Sequence, residues 1–378
     1  MAVTIRPLDD ASATAWDAFV LAHPEGTFFH RASWATIIGR VFDHRTHFAY
    51  AEQDGAITGV LPLAQVKTLL FGNTLISVPF CVYGGPLAVD PESAAALTSH
   101  AGSLLEKTGA SAVEFRYRGA NGGIAGGGAN GEIYGGGANV EINDGVVNGR
   151  AQGGGTADDW LERPDLYVTF RKSIDADNDK NMKAILRKQR AMVRKGIQNG
   201  LRSVADRNAG LLHGIYAESV RNLGTPVFAR RYFTMLAEVF GDDCDVVTVM
   251  DGDAAIASVM NFYFREEVLP YYGGGTAAAR QRAGNDFMYW EVMRRAAGRG
   301  CRLFDFGRSK LGTGAFDFKK NWGFTPENLR YQYKLAPGAS IPDHNPLNPK
   351  YRLFIAGWKQ LPLVLANAIG PSIVRGLG

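Results

Sequence analysis

The chain has 378 residues, 46% of them hydrophobic and 21% charged, with a formal net charge of +4. This is the composition of a folded globular protein with room for two cored domains, and it excludes binding to nucleic acid through overall charge, so any such site must be a local patch. The three cysteines, Cys81, Cys244 and Cys301, lie far apart and the seven histidines form no paired ligand motif, so neither a disulfide framework nor a metal site is expected.

The N-terminal residues Met1 to Pro7 lack the apolar stretch of a signal peptide, and no apolar run approaches the ~20 residues of a membrane span. The expectation is a cytoplasmic protein. Val3 to Leu8 reads as a strand. Ser12 or Thr14 can cap a helix carrying Trp16, Phe19, Val20 and Leu21 and ended by Pro24. A second helix is expected over Ala32–Val41. The strands His47–Gln53 and Ile57–Val66 flank an Asp54-Gly55 turn, a strong hairpin signal. Ser77–Val82 then reads as a strand ending in Tyr83-Gly84-Gly85, followed by a helix from Pro91 to Lys107 and a strand from Ala112 to Tyr117.

The second half repeats this order. Val246–Met250 and Ala255–Phe264 flank Asp251-Gly252-Asp253. A strand over Val268–Tyr271 ends in Tyr272-Gly273-Gly274, and a helix over Asp286–Gly298 leads to a strand over Arg302–Phe306. Glu114-Phe115-Arg116 then corresponds to Asp305-Phe306-Gly307, and the pattern reads as an internal duplication. Such α/β units also recur widely without common origin. Between the halves, Gly119–Gly155 holds about a third of the chain's 46 glycines and too few apolar side chains for a core, so it reads as a loop or linker.

After a strand over Leu166–Phe170, one basic helix is expected over Asp179–Gly200. Lys180, Lys183, Arg187, Arg190 and Arg194 recur at spacings of three and four, which gathers them on one face. Such a face is either simply solvated or an anion site, with Arg187, Lys188 and Arg190 placed to hold phosphate. His213–Leu223 and Arg230–Phe240 read as core helices. Further on, Gln281 and Gly284 fit a loop that opens a helix onto a pyrophosphate, but Asp286 stands where a small residue belongs. A carboxylate there repels phosphate and favours capping the helix instead.

The most informative stretch is Asp305–Phe324, a strand end, a glycine turn and a short helix bearing Phe316, Lys319 and Lys320. Such a turn puts backbone N–H groups and charged side chains at a strand's carboxyl end, where open α/β sheets bind ligands. It is not a Walker loop, since Thr313 stands where Lys is needed. It is not a nucleophile elbow, and no kinase catalytic loop precedes it. Leu329–Leu335 reads as a last strand. The apolar and basic tail beyond Tyr351, interrupted by Pro362 and Gly370-Pro371, either packs on the body or rests on a membrane surface.

Asp-Phe-Gly-Arg-Ser-Lys at 305–310, Gly-Thr-Gly at 312–314 and Phe-Lys-Lys-Asn-Trp-Gly-Phe at 318–324 resemble the FemAB-like acyltransferases, in particular the branch found beside exosortase (PEP-CTERM) and exopolysaccharide genes. The basic stretch around Arg187 is similar to the family's pattern too; the Gly-rich insert departs from it.

The resemblance implies an α/β (α+β) protein of tandem GNAT-like folds, with domains over 1–118 and 161–340, a linker over 119–160 and a tail over 341–378. It implies acyl or aminoacyl transfer from acyl-coenzyme A or aminoacyl-tRNA to an amine or hydroxyl of a sugar- or lipid-linked acceptor, in envelope polysaccharide or peptidoglycan synthesis. No bound cofactor is implied. On this reading Asp305, Lys319 and Lys320 are the catalytic candidates. Tyr272, Arg308, Ser309, Lys310 and Trp322 would hold substrate, and Arg187, Lys188, Arg190, Gln281 and Gly284 the donor's phosphates. The alternative is a non-catalytic nucleic-acid-binding protein or a membrane-associated scaffold at the inner face of the membrane.

Overall fold

The computed structural model describes residues 2–69, 71–118, 160–163, 167–341 and 349–378. The first half contains β1 (Thr4–Pro7), α1 (Ala13–Ala22), α2 (Ser33–Phe42), β2 (Arg45–Thr46), β3 (Ala49–Gln53), β4 (Ala56–Leu61), β5 (Leu63–Thr68), β6 (Gly72–Ser77), β7 (Leu87–Ala88), α3 (Pro91–Thr108) and β8 (Ala112–Tyr117). Next come β9 (Leu161–Arg163), β10 (Val168–Ser173), α4 (Asn178–Ala184), α5 (Arg187–Gln198), β11 (Arg202–Asp206), α6 (Ala209–Leu223), α7 (Arg230–Phe240), β12 (Cys244–Asp251), β13 (Ala254–Phe264) and β14 (Glu267–Gly275). The remainder is α8 (Ala277–Arg282), α9 (Gly284–Gly298), β15 (Leu303–Asp305), α10 (Gly314–Asn321), β16 (Pro326–Asn328), β17 (Arg330–Leu335), α11 (Pro349–Gln360) and α12 (Leu363–Val374). The expected Gly-rich linker lies outside the described residues, apart from Trp160.

Local chemistry sets these boundaries. Helix α3 starts where the Asp90 side chain accepts from Ser93 N–H, with Pro91 in its first turn, and stops at Gly109 in the left-handed region (φ 61°). The single strand expected over Ile57–Val66 is divided at Pro62, and its two parts, β4 and β5, enter different sheets. The strand expected over Ser77–Val82 instead ends at Ser77, because Val78 (φ 55°) and Phe80 (φ 69°) turn the backbone out of extended geometry. The basic helix expected to be continuous breaks at Ile185, where the backbone is extended (ψ 135°), so Lys180 and Lys183 belong to α4 and Arg187 to Lys195 to α5. Pro371 lies inside α12 rather than ending it, and its missing N–H removes one helical bond.

The strands form three sheets, ordered β1-β3-β4-β7, β2-β5-β6-β8-β17-β9 and β11-β12-β13-β14-β15-β10-β16. Each of the two larger sheets contains a short parallel pair, β6 with β8 and β14 with β15. The late strand β17 lies antiparallel to β8 in the sheet built from the first half. One apolar cluster spans both halves: Phe28 stacks on Phe262 and contacts Phe240, each with ring centroids 4.5 Å apart. Each such buried ring contributes about 1.5–3 kcal/mol, so apolar burial holds the halves together and fixes the seam where the site lies.

Candidate functional site

Strands β14 and β15 run side by side only through Glu267–Leu303 and Val268–Phe304. Beyond this pair β15 turns to β10, while β14 continues along β13 to Gly275. The strands therefore part at their carboxyl ends. A register shift opposite Met260 and Asn261 leaves Tyr271 without a direct partner, a bulge at the point of divergence. The Tyr271 hydroxyl donates to the Phe80 carbonyl at 3.2 Å, so the first half closes over this opening.

Asp305 ends β15. Side chains alternate along a strand, so Phe304 and Phe306 enter the core of the second half while Asp305 faces the first. Its carboxylate is 1% exposed. It accepts from the Tyr83 hydroxyl at 2.8 Å, from Gly307 N–H at 2.7 Å and from Thr169 Oγ1 at 3.4 Å. Arg171, its cross-strand neighbour on β10, approaches to 3.4 Å and pairs at 2.6 Å with Glu267. Thr169 and Arg171 share one face of β10, as the two-residue period requires. Glu267 also meets Arg118 at 3.5 Å, so an alternating row of charges crosses the seam. Burial pushes the Tyr83 phenol well above its ordinary range, and the adjacent Asp305 carboxylate adds to the rise. Tyr83→Phe is expected to cost about 1.5–3 kcal/mol in urea denaturation, because a hydrogen bond to a buried carboxylate is lost.

Lys319 approaches the same strand end from the other face. Thr313 caps α10 by accepting from Phe316 N–H, and Phe316 packs edge-on against Phe170 with centroids 5.3 Å apart. This seats Lys319 Nζ 5.7 Å from the Phe170 centroid, donating to the carbonyls of Gly307 (3.0 Å) and Arg308 (2.9 Å). Burial of the ammonium lowers its pKa to about 7, against the opposing pull of Asp305. The two carbonyls satisfy both N–H bonds of the neutral amine, which leaves its lone pair for another proton. Gly307 has φ 64°, so the turn that presents these carbonyls suits glycine.

The other expected residues divide between open surface and interior. Arg308 donates to the Tyr331 hydroxyl at 2.9 Å and lies 4.8 Å from the Tyr167 ring centroid, with Lys310 on the same ring at 5.3 Å. Ser309 is buried, and its Oγ finds no hydrogen-bond partner among the described residues. Lys320 is exposed on α10. Tyr272 is buried and bonded to Tyr232 at 2.8 Å, and Trp322 is fully buried, so both are core side chains here rather than open contact surfaces.

Arg187 and Lys188 are exposed on α5 and Arg190 half-buried, with no ion pair to any of them among the described residues. Gln281 is exposed, whereas Gly284 is buried, and a Cβ there would crowd Ile256 and Ala279.

Asp286 does not cap α9; it lies in the first turn, accepting from Gln189 (2.8 Å) and from the Trp322 indole (3.1 Å). Burial raises its pKa. It thus ties α5, α9 and the end of α10 together and puts a carboxyl group at the helix start. Asp286→Ala should cost about 1–3 kcal/mol by orphaning two buried donors, whereas Asp286→Asn, which keeps an acceptor, should stay within about 1 kcal/mol when both are compared by thermal melting.

Sequence reasoning missed Tyr83, Thr169, Arg171 and Glu267. Tyr83 had a visible signal in its repeated Tyr-Gly-Gly setting. The other three become partners of Asp305 or of one another only through strand pairing. No group of three or more His, Cys, Asp or Glu side chains that could hold a metal occurs among the described residues.

A mixed α/β chain with a short parallel strand pair in each of its two larger sheets, the β14–β15 pair splayed at its carboxyl end, is a GNAT-like fold. Residues 180–320 match the family model of the acetyltransferase (GNAT) domain, which places Asp305 and Lys319 inside that domain. The fold is similar to the crystal structure of FemX (TM-score 0.59, 15% identity, covering 93% of this chain and 100% of that one). It is also similar to the C-terminal domain of a putative lysylphosphatidylglycerol synthetase from Agrobacterium fabrum (0.51, 13%, 86% and 91%). A third likeness is to a conserved protein of unknown function from Bacteroides thetaiotaomicron (0.55, 9%, 88% and 100%). These likenesses speak to the fold. No curated protein matches the chain.

Proposed function

We propose that the protein is an acyl- or aminoacyltransferase in which Lys319 takes the proton from an acceptor amine or hydroxyl as it attacks an activated carbonyl. The carrying observation is the Lys319 amine, with a pKa of about 7 and both N–H bonds occupied, at the end of the diverging strands. A general base works best when its pKa lies near the operating pH. The donor carbonyl would enter between β14 and β15, where a backbone N–H of the diverging strands would stabilise the developing oxyanion. The new C–N or C–O bond forms as the donor's C–S or ester C–O bond breaks, and the proton taken up by Lys319 passes to the leaving thiol or ribose oxygen. Asp305, already saturated with donors, serves as the fixed post of the turn rather than as the base. Arg308 and Lys310 would orient the acceptor.

For the donor, the buried Asp286 at the α9 start and the exposed Arg187 and Lys188 on α5 favour aminoacyl-tRNA over coenzyme A. The resemblance of Asp305–Phe324 to the FemAB-like acyltransferases supports an acceptor in envelope polysaccharide or peptidoglycan synthesis, on a sugar- or lipid-linked carrier. The test offers labelled acyl-coenzyme A and labelled aminoacyl-tRNA in parallel with such an acceptor fraction. Transfer from tRNA that weakens in Arg187→Glu/Lys188→Glu is the expected result. Transfer from coenzyme A alone would overturn the donor assignment, and no transfer from either would overturn the enzyme reading in favour of a scaffold.

A further inference from the structure

Helices α11 and α12 pack on α6 through one side only. Trp358 and Ala366 are 3% and 1% exposed, Ile355 lies over Gly224, and Gly370 lies against Val227. The opposite side should be polar if it faced only water. Instead Leu353, Val364, Leu365 and Ile369 are 86%, 79%, 51% and 46% exposed, and Phe354, stacked on Trp358, is 43% exposed. In α12 the exposed positions 364, 365 and 369 recur at helical spacing, and the helix contains no charged residue. Its outer face is therefore as apolar as its packed one. The whole segment 349–378 holds four Lys or Arg residues and no Asp or Glu, with Arg352 and Lys359 exposed on α11 beside the apolar side chains.

From this arrangement we infer that the α11–α12 face docks on the surface of an anionic phospholipid bilayer. An apolar face flanked by flexible cations and free of acids matches lipid chains below and phosphate headgroups around them. Each helix has 12 residues, about 18 Å at 1.5 Å per residue, which is too short to cross ~30 Å of hydrocarbon, so both lie along the surface. A second copy of the chain fits less well. A two-fold contact would bring each copy's Arg352 and Lys359 toward the same cations of the other with no acid to pair them. This inference is independent of the transferase reading.

The test is flotation of the full chain with vesicles of phosphatidylcholine alone and with vesicles containing one third phosphatidylglycerol. The expected result is binding to the anionic vesicles that falls about tenfold or more in Arg352→Glu/Lys359→Glu and weakens with added salt. Leu353→Ser/Val364→Ser/Ile369→Ser should abolish flotation without moving the melting temperature, since all three side chains are exposed. A chain that stays in the soluble fraction with both vesicle types would overturn the inference. So would a concentration-dependent dimer dispersed by the same serine substitutions, because the face would then be covered by a second copy.

Discussion

Lys319→Ala should lower the transfer rate by about 10²- to 10⁴-fold, the usual contribution of a positioned general base, with little change in donor KM. Lys319→Arg should not restore it, because a guanidinium stays charged at any working pH. The same lysine leaves a mark on stability. Its folded pKa of about 7 lies below the 10.5 of an ordinary lysine, so between these values the unfolded chain binds more protons than the folded one. Stability contributed by this site therefore rises with pH across that window, and the burial penalty is complete below pH 7. Urea titrations at several pH values should show the rise in the parent protein and its loss in Lys319→Met.

Asp305→Ala should be the most damaging change to the fold among the site residues, at about 3 kcal/mol or more. It strands Tyr83, Thr169 and Gly307 N–H and takes one carboxylate from the half-buried Arg171. Asp305→Asn keeps an acceptor of the same shape and should lose about 1–2 kcal/mol, with transfer reduced less than about tenfold. If Asp305→Asn instead abolished transfer in a protein of unchanged stability, the carboxylate would be the base and Lys319 a bystander.

The features legible in the sequence were those carried by local chemistry. Gly and Asp at the hairpin turns, Pro91 with Gly109 around α3, and the Asp305–Phe324 stretch all expressed their structure within a few residues. The repeated order of elements was legible too, but the parallel pairing of β14 with β15 and of β6 with β8 was not, because it depends on which strands the connecting helices bring side by side. Longer-range features were not legible. Nothing around Arg171 announces that it faces Asp305, because that depends on the register of β10. Val78 and Phe80 adopt positive φ against their own preference, and the strand expected there was lost for that reason. The break between α4 and α5 occurs at Ile185, a residue with no helix-stopping chemistry. Asp286 reads from the sequence as a helix cap, yet its partners are Gln189 and Trp322, which are distant in sequence.

The pH dependence of kcat/KM for acyl or aminoacyl transfer addresses the Lys319 assignment most directly. The expected profile rises through about pH 7 to a plateau, as Lys319 loses its proton, and this limb is absent from the residual activity of Lys319→Ala. A profile flat from pH 6 to 9 in the parent protein, or one that Lys319→Ala reproduces at full height, would contradict the assignment of the base and with it the proposed chemistry of the strand end.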